Sequence, residues 1–143
     1  MADSSGYRVA LLSVHPEYAQ AILDGTKTVE FRKRPLADDV THVAIYATMP
    51  VGRVVGVFAV EEQVFAEPRS LWREFRKVAG ISEEKFHAYY DGRDQGVGIK
   101  VSDLVTLPDQ VTLEEAFGIS RPPQSFQYFA PSEASASLQH ALA

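Results

Sequence analysis

The pattern of apolar and polar positions predicts a β-sheet whose strands are distributed along most of the chain. Short apolar runs bounded by turn residues are typical of strands. They occupy residues 8–14, 28–31, 42–48, 53–64 and 97–107, with a further extended segment at 126–129. The three runs between residues 28 and 64 are joined by turns, which predicts an antiparallel meander. Gly56, inside the longest of these runs, predicts a β-bulge or a close backbone approach.

Apolar residues at helical spacing predict four helices between these strands. They cover residues 16–24, 68–78, 83–92 and 112–118. Pro16 suits the first turn of the first helix, and Gly25 suits a left-handed cap at its end. Ser82 suits the N-cap of the third helix, and Thr112 with Glu115 suits a capping box at the start of the fourth. Consecutive strands followed by clustered helices indicate an α+β fold. We expect a small β-barrel of about five to six mostly antiparallel strands with helices packed across it.

Composition restricts the classes of protein. The 143 residues are enough for one domain, and the absence of cysteine excludes disulfides, thiolate metal sites and thiol nucleophiles. No apolar run approaches the roughly 18 residues of a membrane helix, and the polar N-terminus lacks the pattern of a signal peptide. We therefore expect a cytoplasmic protein with no membrane partner. The net charge of −5 argues against a protein that coats long nucleic acids.

The expected domain boundaries follow from the same pattern. We predict a flexible N-terminus over residues 1–7 and a folded domain over residues 8–129. Residues 130–143 are rich in Ala and Ser, so they form either a disordered tail or a short helix, and we favour the tail.

The segment Gly25 to Arg32 (GTKTVEFR) resembles the G-x-K-x-x-E-x-R signature of the ASCH domain family, whose members are related to PUA-like RNA-binding barrels. Its surroundings agree, and the resemblance covers residues 8–129. The agreeing segments are SVHPEY at 13–18, YAT at 46–48 and FHAYYDG at 86–92. The resemblance implies a β-barrel with a cleft suited to a nucleotide or an RNA element. Members of the family include proposed RNA-binding coactivators, amidohydrolases acting on acetylated cytidine and reported ribonucleases, so the fold does not fix the function.

The resemblance places Lys27, Glu30 and Arg32 in this cleft. Arg32 can hold a phosphate or carboxylate through two parallel hydrogen bonds, and Glu30 can accept from the exocyclic amine of a base. Lys27 can hold a phosphate or, if desolvated, can lose its proton and act as a base or nucleophile. Spacing alone also fits an ordinary ion pair on a strand. Glu30 and Arg32 share one strand face whereas Lys27 is out of phase, so the three converge only if Lys27 lies in the turn after Gly25 or a bulge shifts the register.

Other candidate residues flank the signature. Ser13 and His15 are expected to line the edge of the cleft, although His15 equally suits a cap of the next helix. A Ser–His nucleophile here has no obvious acid to orient the histidine. Tyr46 suits either base stacking or the core. Lys33 and Arg34 either extend a phosphate path or form a solvated charge run. Five aromatic residues at helical spacing are expected in the core: Trp72, Phe75, Phe86, Tyr89 and Tyr90.

The leading hypothesis is a nucleic-acid or nucleotide-binding module that takes RNA, including a modified base, in this cleft. Its predicted ligand-binding residues are Ser13, His15, Lys27, Glu30, Arg32 and Tyr46. The histidines show no metal-ligand spacing, and we predict neither a metal nor a cofactor.

The alternative is a hydrolase acting on an acylated cytidine or on RNA, with Lys27 and Glu30 as catalytic residues. The amidohydrolase subgroup carries Thr at the position of Glu30 and uses a later Glu, for which Glu61 or Glu62 is the candidate here. Whether the cleft binds or also cleaves its ligand stays open at this stage.

Overall fold

The computed structural model describes residues 7–143, and nearly all of the predicted flexible N-terminus lies outside this range. Within it the chain forms six strands and five α-helices. The strands are β1 (Arg8–Val14), β2 (Val29–Arg32), β3 (Val40–Ala47), β4 (Arg53–Ala66), β5 (Gly96–Val111) and β6 (Phe126–Phe129). The helices are α1 (Pro16–Asp24), α2 (Pro68–Phe75), α3 (Glu83–Tyr89), α4 (Leu113–Phe117) and α5 (Ala136–Leu142).

The six strands form one sheet in the order β2-β5-β4-β3-β1-β6. Only β1 and β3 pair in parallel, and every other neighbouring pair is antiparallel. The sheet curls into a half-barrel with the helices packed across it. This arrangement confirms the expected α+β fold of about six mostly antiparallel strands.

The predicted meander is wrong for β2, which pairs with β5 rather than with β3. The β2–β3 connection is not a hairpin turn, because it buries Leu36 and bonds its backbone to the side chain of Gln63 on β4. The Gln63 amide accepts from Leu36 N at 2.8 Å and donates to Leu36 O at 3.0 Å. β5 is long enough to pair with β4 on one side and with β2 on the other.

Gly56 occupies the predicted close approach within β4. The register of β4 shifts beside it against both β3 and β5. A Cβ atom at Gly56 would lie 3.0 Å from Leu23 Cδ2 and 3.1 Å from the carbonyl oxygen of Val105. A side chain at this position would therefore crowd both α1 and β5, which explains the close approach at Gly56.

The helix boundaries follow the predicted capping residues. Ser82 accepts a hydrogen bond from the backbone of Lys85 at the start of α3, and Thr112 with Glu115 forms a capping box at the start of α4. The predicted helix over residues 68–78 ends as an α-helix at Phe75 and continues as a 3₁₀ turn. No helix within residues 7–143 is long and apolar enough to cross a membrane.

The C-terminal segment forms α5 instead of the disordered tail that its composition favoured. Leu138 and Leu142 are buried in the core beside α4, and Ser135 N donates to Ala116 O at 2.9 Å. Leu138, Ala141 and Leu142 recur at helical spacing, so a short segment with few apolar residues still has one complete apolar face. The helix alternative considered for this segment is the correct one.

Candidate functional site

A cleft of about 880 Å³ opens where β1, β2 and the segment before β6 meet α3. Five of the six residues predicted to bind ligand line it, and the exception is Tyr46. The five are Ser13, His15, Lys27, Glu30 and Arg32. The signature residues therefore converge in space as well as in sequence.

Lys27 reaches the cleft from the turn between α1 and β2. Gly25 ends α1 in the left-handed conformation with φ of 82°, and the backbone N–H of Lys27 donates to Ala21 O at 3.1 Å. Lys27 thus precedes the regular register of β2. The turn, rather than a bulge, resolves the phase difference that the sequence showed between Lys27 and the pair of Glu30 and Arg32.

Lys27 lines the cleft but is almost wholly buried, with 3% of the residue exposed. Its Nζ donates to Ala79 O at 2.6 Å and lies 3.9 Å from Glu30 Oε1. The ring centroids of Tyr18 and Phe31 are 5.5 and 5.1 Å from Nζ. Burial lowers the pKa of Lys27, an effect that Glu30 opposes and Arg32 reinforces.

Gly80 packs directly against the aliphatic stem of Lys27. It has φ of 62°, and a Cβ atom there would lie 2.5 Å from Lys27 Cβ. A side chain at this position would suffer both backbone strain and a direct clash. The chain after α2 can therefore cover Lys27 only because residue 80 is glycine.

Arg32 is bonded within the protein through each of its three nitrogens. Nε and Nη2 lie 3.0 and 2.9 Å from Glu30 Oε2, and Nη2 also donates to Ser13 O at 2.8 Å. Nη1 lies 3.2 Å from Ser125 Oγ and 3.4 Å from Ser125 O. This side chain therefore connects β2, at one edge of the sheet, with β1 and with the residue before β6, the strand at the other edge.

Glu30 lies between the two cations on the cleft floor. One carboxylate oxygen, Oε2, is taken by Arg32, and the other, Oε1, faces Lys27 at 3.9 Å. Glu30 and Arg32 are 7% and 8% exposed, so the ion pair of the signature is not an ordinary solvated one. Desolvation of the two buried charges offsets much of their attraction, so the pair depends on good hydrogen-bond geometry.

Ser13 and His15 lie at the edge of the cleft as predicted. The Ser13 hydroxyl donates to Pro123 O at 2.7 Å, which commits it to the segment before β6 rather than to His15. His15 is the N-cap residue of α1, but its side chain makes no capping hydrogen bond. Its ring is exposed and lies 6.1 Å from that of Tyr18.

The mouth of the cleft carries exposed basic side chains and one exposed aromatic ring. These residues are Lys33, Arg34, Arg93 and Tyr89. The Lys33 ammonium lies 4.7 Å from the Tyr89 ring centroid, and Arg93 Nη2 lies 3.4 Å from Lys33 O. Among the described residues five basic side chains and one carboxylate line the cleft, so it is positive in a chain of net charge −5.

The core prediction for the helix aromatics holds for Phe75, Phe86 and Tyr90, and Trp72 is half-buried. It is wrong for Tyr89, which is 36% exposed. Adjacent residues of a helix cannot share one face, so burying Tyr90 turns Tyr89 towards the cleft. The sequence could therefore have shown that one of the two adjacent tyrosines is exposed. Nothing in the sequence indicated that Arg93 lines the cleft.

Tyr46 and Glu61 do not line the cleft. Tyr46 is 5% exposed and packs in the core opposite Val54 of β4. Glu61 is exposed on β4, where its carboxylate lies 3.2 Å from Lys100 Nζ, and Glu62 shares the same lysine at 3.6 Å. Neither acid is therefore placed to act with Lys27.

Within residues 7–143 no three His, Cys, Asp or Glu side chains are grouped so that they could hold a metal ion.

Comparison with known families matches residues 12–101 to the ASCH domain. The chain belongs to the ASCH domain family. An ASCH domain-containing ribonuclease from Zymomonas mobilis subsp. mobilis is 33% identical over 93% of this chain and 92% of its own length. The large ribosomal subunit protein uL22 of Ureaplasma parvum is 30% identical over 82% of this chain, which matches 38% of that longer protein.

Solved ASCH structures agree with the fold. The crystal structure of ASCH from Zymomonas mobilis superposes with a TM-score of 0.78 at 31% sequence identity, covering 87% of this chain and 90% of that one. The resemblance identified from the signature is therefore confirmed at the level of family and fold.

Proposed function

We propose that this ASCH protein binds RNA and takes one unpaired nucleotide into the cleft. The observation that carries the proposal is the charge of the cleft, where an exposed basic mouth leads to a buried Lys27–Glu30–Arg32 floor. A phosphate backbone is attracted to such a mouth. The relative named a ribonuclease, which aligns over nearly the whole chain, supports RNA as the polymer.

The floor and the mouth have different roles in this proposal. Oε1 of Glu30 accepts an N–H donor of the nucleobase, while Arg32 fixes the carboxylate through Oε2. Each Arg32 nitrogen already donates a hydrogen bond within the protein. In this proposal the phosphate is therefore bound by Lys33, Arg34 and Arg93 at the mouth. This reassigns the phosphate role first expected of Arg32.

Binding of a short fluorescent single-stranded RNA tests the proposal. We expect Lys33→Met with Arg93→Met to weaken binding about tenfold or more, because two phosphate contacts are lost. The matched control is Arg73→Met with Lys77→Met, two exposed basic residues that do not line the cleft. Equal affinities of the two double variants for RNA would contradict a binding role of the cleft.

RNA cleavage is the second candidate function. It is favoured by the ribonuclease relative and by Lys27, a buried amine of lowered pKa beside a carboxylate. In this reaction the neutral Lys27 amine takes the proton of a ribose 2′-hydroxyl, whose oxygen bonds to the adjacent phosphorus. The bond from phosphorus to the 5′-oxygen breaks, that oxygen takes a proton from solvent water, and a 2′,3′-cyclic phosphate remains.

Mass spectrometry of RNA incubated with the protein tests cleavage. We expect wild type to produce 2′,3′-cyclic phosphate ends and Lys27→Met to produce none while it still binds RNA. A 2′-deoxy nucleotide at the cleaved position should block the reaction. Intact RNA after incubation with wild type would contradict cleavage and leave the binding role. Hydrolysis of acylated cytidine has less support, because Glu30 replaces the subgroup's Thr and Glu61 lies outside the cleft.

A further inference from the structure

The aromatic ring of Tyr89 faces the mouth of the cleft although most aromatic residues around it are buried. Among the described residues only three large apolar side chains are substantially exposed, and Tyr89 is the one that lines the cleft. The other two are Met49 and Phe65. An aromatic ring beside a positively charged groove is the arrangement on which single-stranded nucleic acids stack their bases.

The Tyr89 ring is held by the surrounding structure. It packs edge-on against Tyr90 at 4.9 Å between centroids, and the Tyr90 hydroxyl donates to Arg32 O at 2.8 Å. Phe86, one helical turn before Tyr90, packs on Phe31 at 4.8 Å. The position of the ring is therefore coupled to β2, the strand that carries the floor of the cleft.

Cations lie beside the ring. Lys33 Nζ lies 4.7 Å from the ring centroid, and Arg93 Nη2 lies 3.4 Å from the Lys33 carbonyl oxygen. An exposed cation–π contact is weak, and the long Lys33 stem allows the ammonium to move from the ring to a nearby phosphate. A flat π-system can then occupy the ring face that the ammonium leaves.

We propose that Tyr89 is a stacking platform for a second, flanking base of the RNA, with Lys33 and Arg93 on the phosphate that joins it to the nucleotide in the cleft. This inference rests on the proposed RNA-binding function and narrows its ligand from a nucleotide to a single strand of at least two nucleotides. Stacking on an aromatic ring is tolerant of base identity. Tyr89 thus adds affinity, while sequence preference comes from the cleft floor.

RNAs with and without flanking bases test this inference. One probe is a short single-stranded RNA, and the other has the same length and backbone with one central base and abasic sugars elsewhere. For wild type the flanking bases should raise affinity by about 5-fold to 150-fold, the range measured for one stacked base. Tyr89→Ala and Tyr89→Leu should lose most of this difference, and Tyr89→Phe should keep it. Tyr89→Leu retains apolar bulk without a flat ring, and Phe65→Ala, which removes an exposed aromatic outside the cleft, should behave as wild type.

The outcomes separate this inference from the function on which it rests. If Tyr89→Ala weakens both RNAs equally, the ring contacts the nucleotide in the cleft and the flanking platform is wrong. If it weakens neither, Tyr89 does not contact RNA. If wild type binds neither RNA, the proposed function itself fails and the inference fails with it.

Discussion

The floor and the mouth of the cleft are built from similar charged residues in opposite environments. On the floor, Lys27, Glu30 and Arg32 are buried and bonded to one another or to backbone carbonyls. At the mouth, Lys33 and Arg34 are exposed. A buried charge must be paired to be tolerated, whereas an exposed charge is solvated and available to a ligand. The buried signature residues therefore connect parts of the fold with one another, whereas the exposed basic residues that follow the signature are available to a ligand.

The largest expected effect is loss of stability in Glu30→Ala. This change leaves Lys27 and Arg32 buried without their shared anion, and breaking a buried pair in this way costs about 3–5 kcal/mol of the free energy of unfolding. Denaturant unfolding measures it. The control Glu74→Ala removes an exposed carboxylate from α2 and should change stability by about 0.5 kcal/mol or less. Equal stability of the two variants would show that the floor pair is not a structural element.

A smaller loss is expected in Gly80→Ala. The left-handed backbone and the clash with the Lys27 stem together should cost about 1–3 kcal/mol. Gly92→Ala is the matched control, because Gly92 also has positive φ but has nothing within 4 Å of an added Cβ. The difference between the two variants in denaturant unfolding isolates the contact with Lys27. Gly80→Ala should be the less stable variant, and the reverse order would contradict the packing described here.

The lowered pKa of Lys27 predicts a pH dependence of stability with a defined sign. Between the folded pKa of Lys27 and its unfolded pKa of about 10.4, the unfolded chain binds a proton that the folded chain has lost. Stability from this group therefore rises with pH across that window. The free energy of unfolding of wild type minus that of Lys27→Met should increase as pH rises through it. The same difference for Lys77→Met, an exposed lysine, should stay flat. A difference that falls or stays constant for Lys27→Met would contradict the burial of a titrating amine.

The smallest effect on stability is expected at the mouth. Arg34→Ala removes an exposed side chain and should change the free energy of unfolding by about 0.5 kcal/mol or less, while it weakens RNA binding. Parallel unfolding and binding measurements on one preparation test this separation. A loss of stability comparable to that of Glu30→Ala would remove the distinction between floor and mouth.

Local features of this fold were predictable because local rules decide them. The phase of Lys27 against Glu30 and Arg32 follows from strand geometry alone, and Gly25 marked the turn that resolves it. Ser82 and Thr112 were recognisable as caps for the same reason. Each of these features depends on a few neighbouring residues.

Features that depend on distant residues were not predictable from one sequence. The pairing of β2 with β5 joins segments about seventy residues apart, and turn residues between β2 and β3 carry no information about it. Tyr46 lies in the core because of the strands that pack against it. The helix rule shows that Tyr89 and Tyr90 cannot both be buried, but only the packing of α3 decides that Tyr89 is the one at the cleft. Arg32 was expected to hold phosphate, and its commitment to Ser13 and Ser125 arises only when the sheet curls.

The salt dependence of RNA binding tests the central claim most directly. The affinity of wild type and of Lys33→Met with Arg93→Met for the same single-stranded RNA would be measured between about 50 and 200 mM salt. If these side chains bind phosphate, the slope of log affinity against log salt should become shallower by about 0.7 for each lost contact, with the free energy of unfolding unchanged. Identical slopes and affinities would contradict the claim that the mouth of this cleft binds RNA.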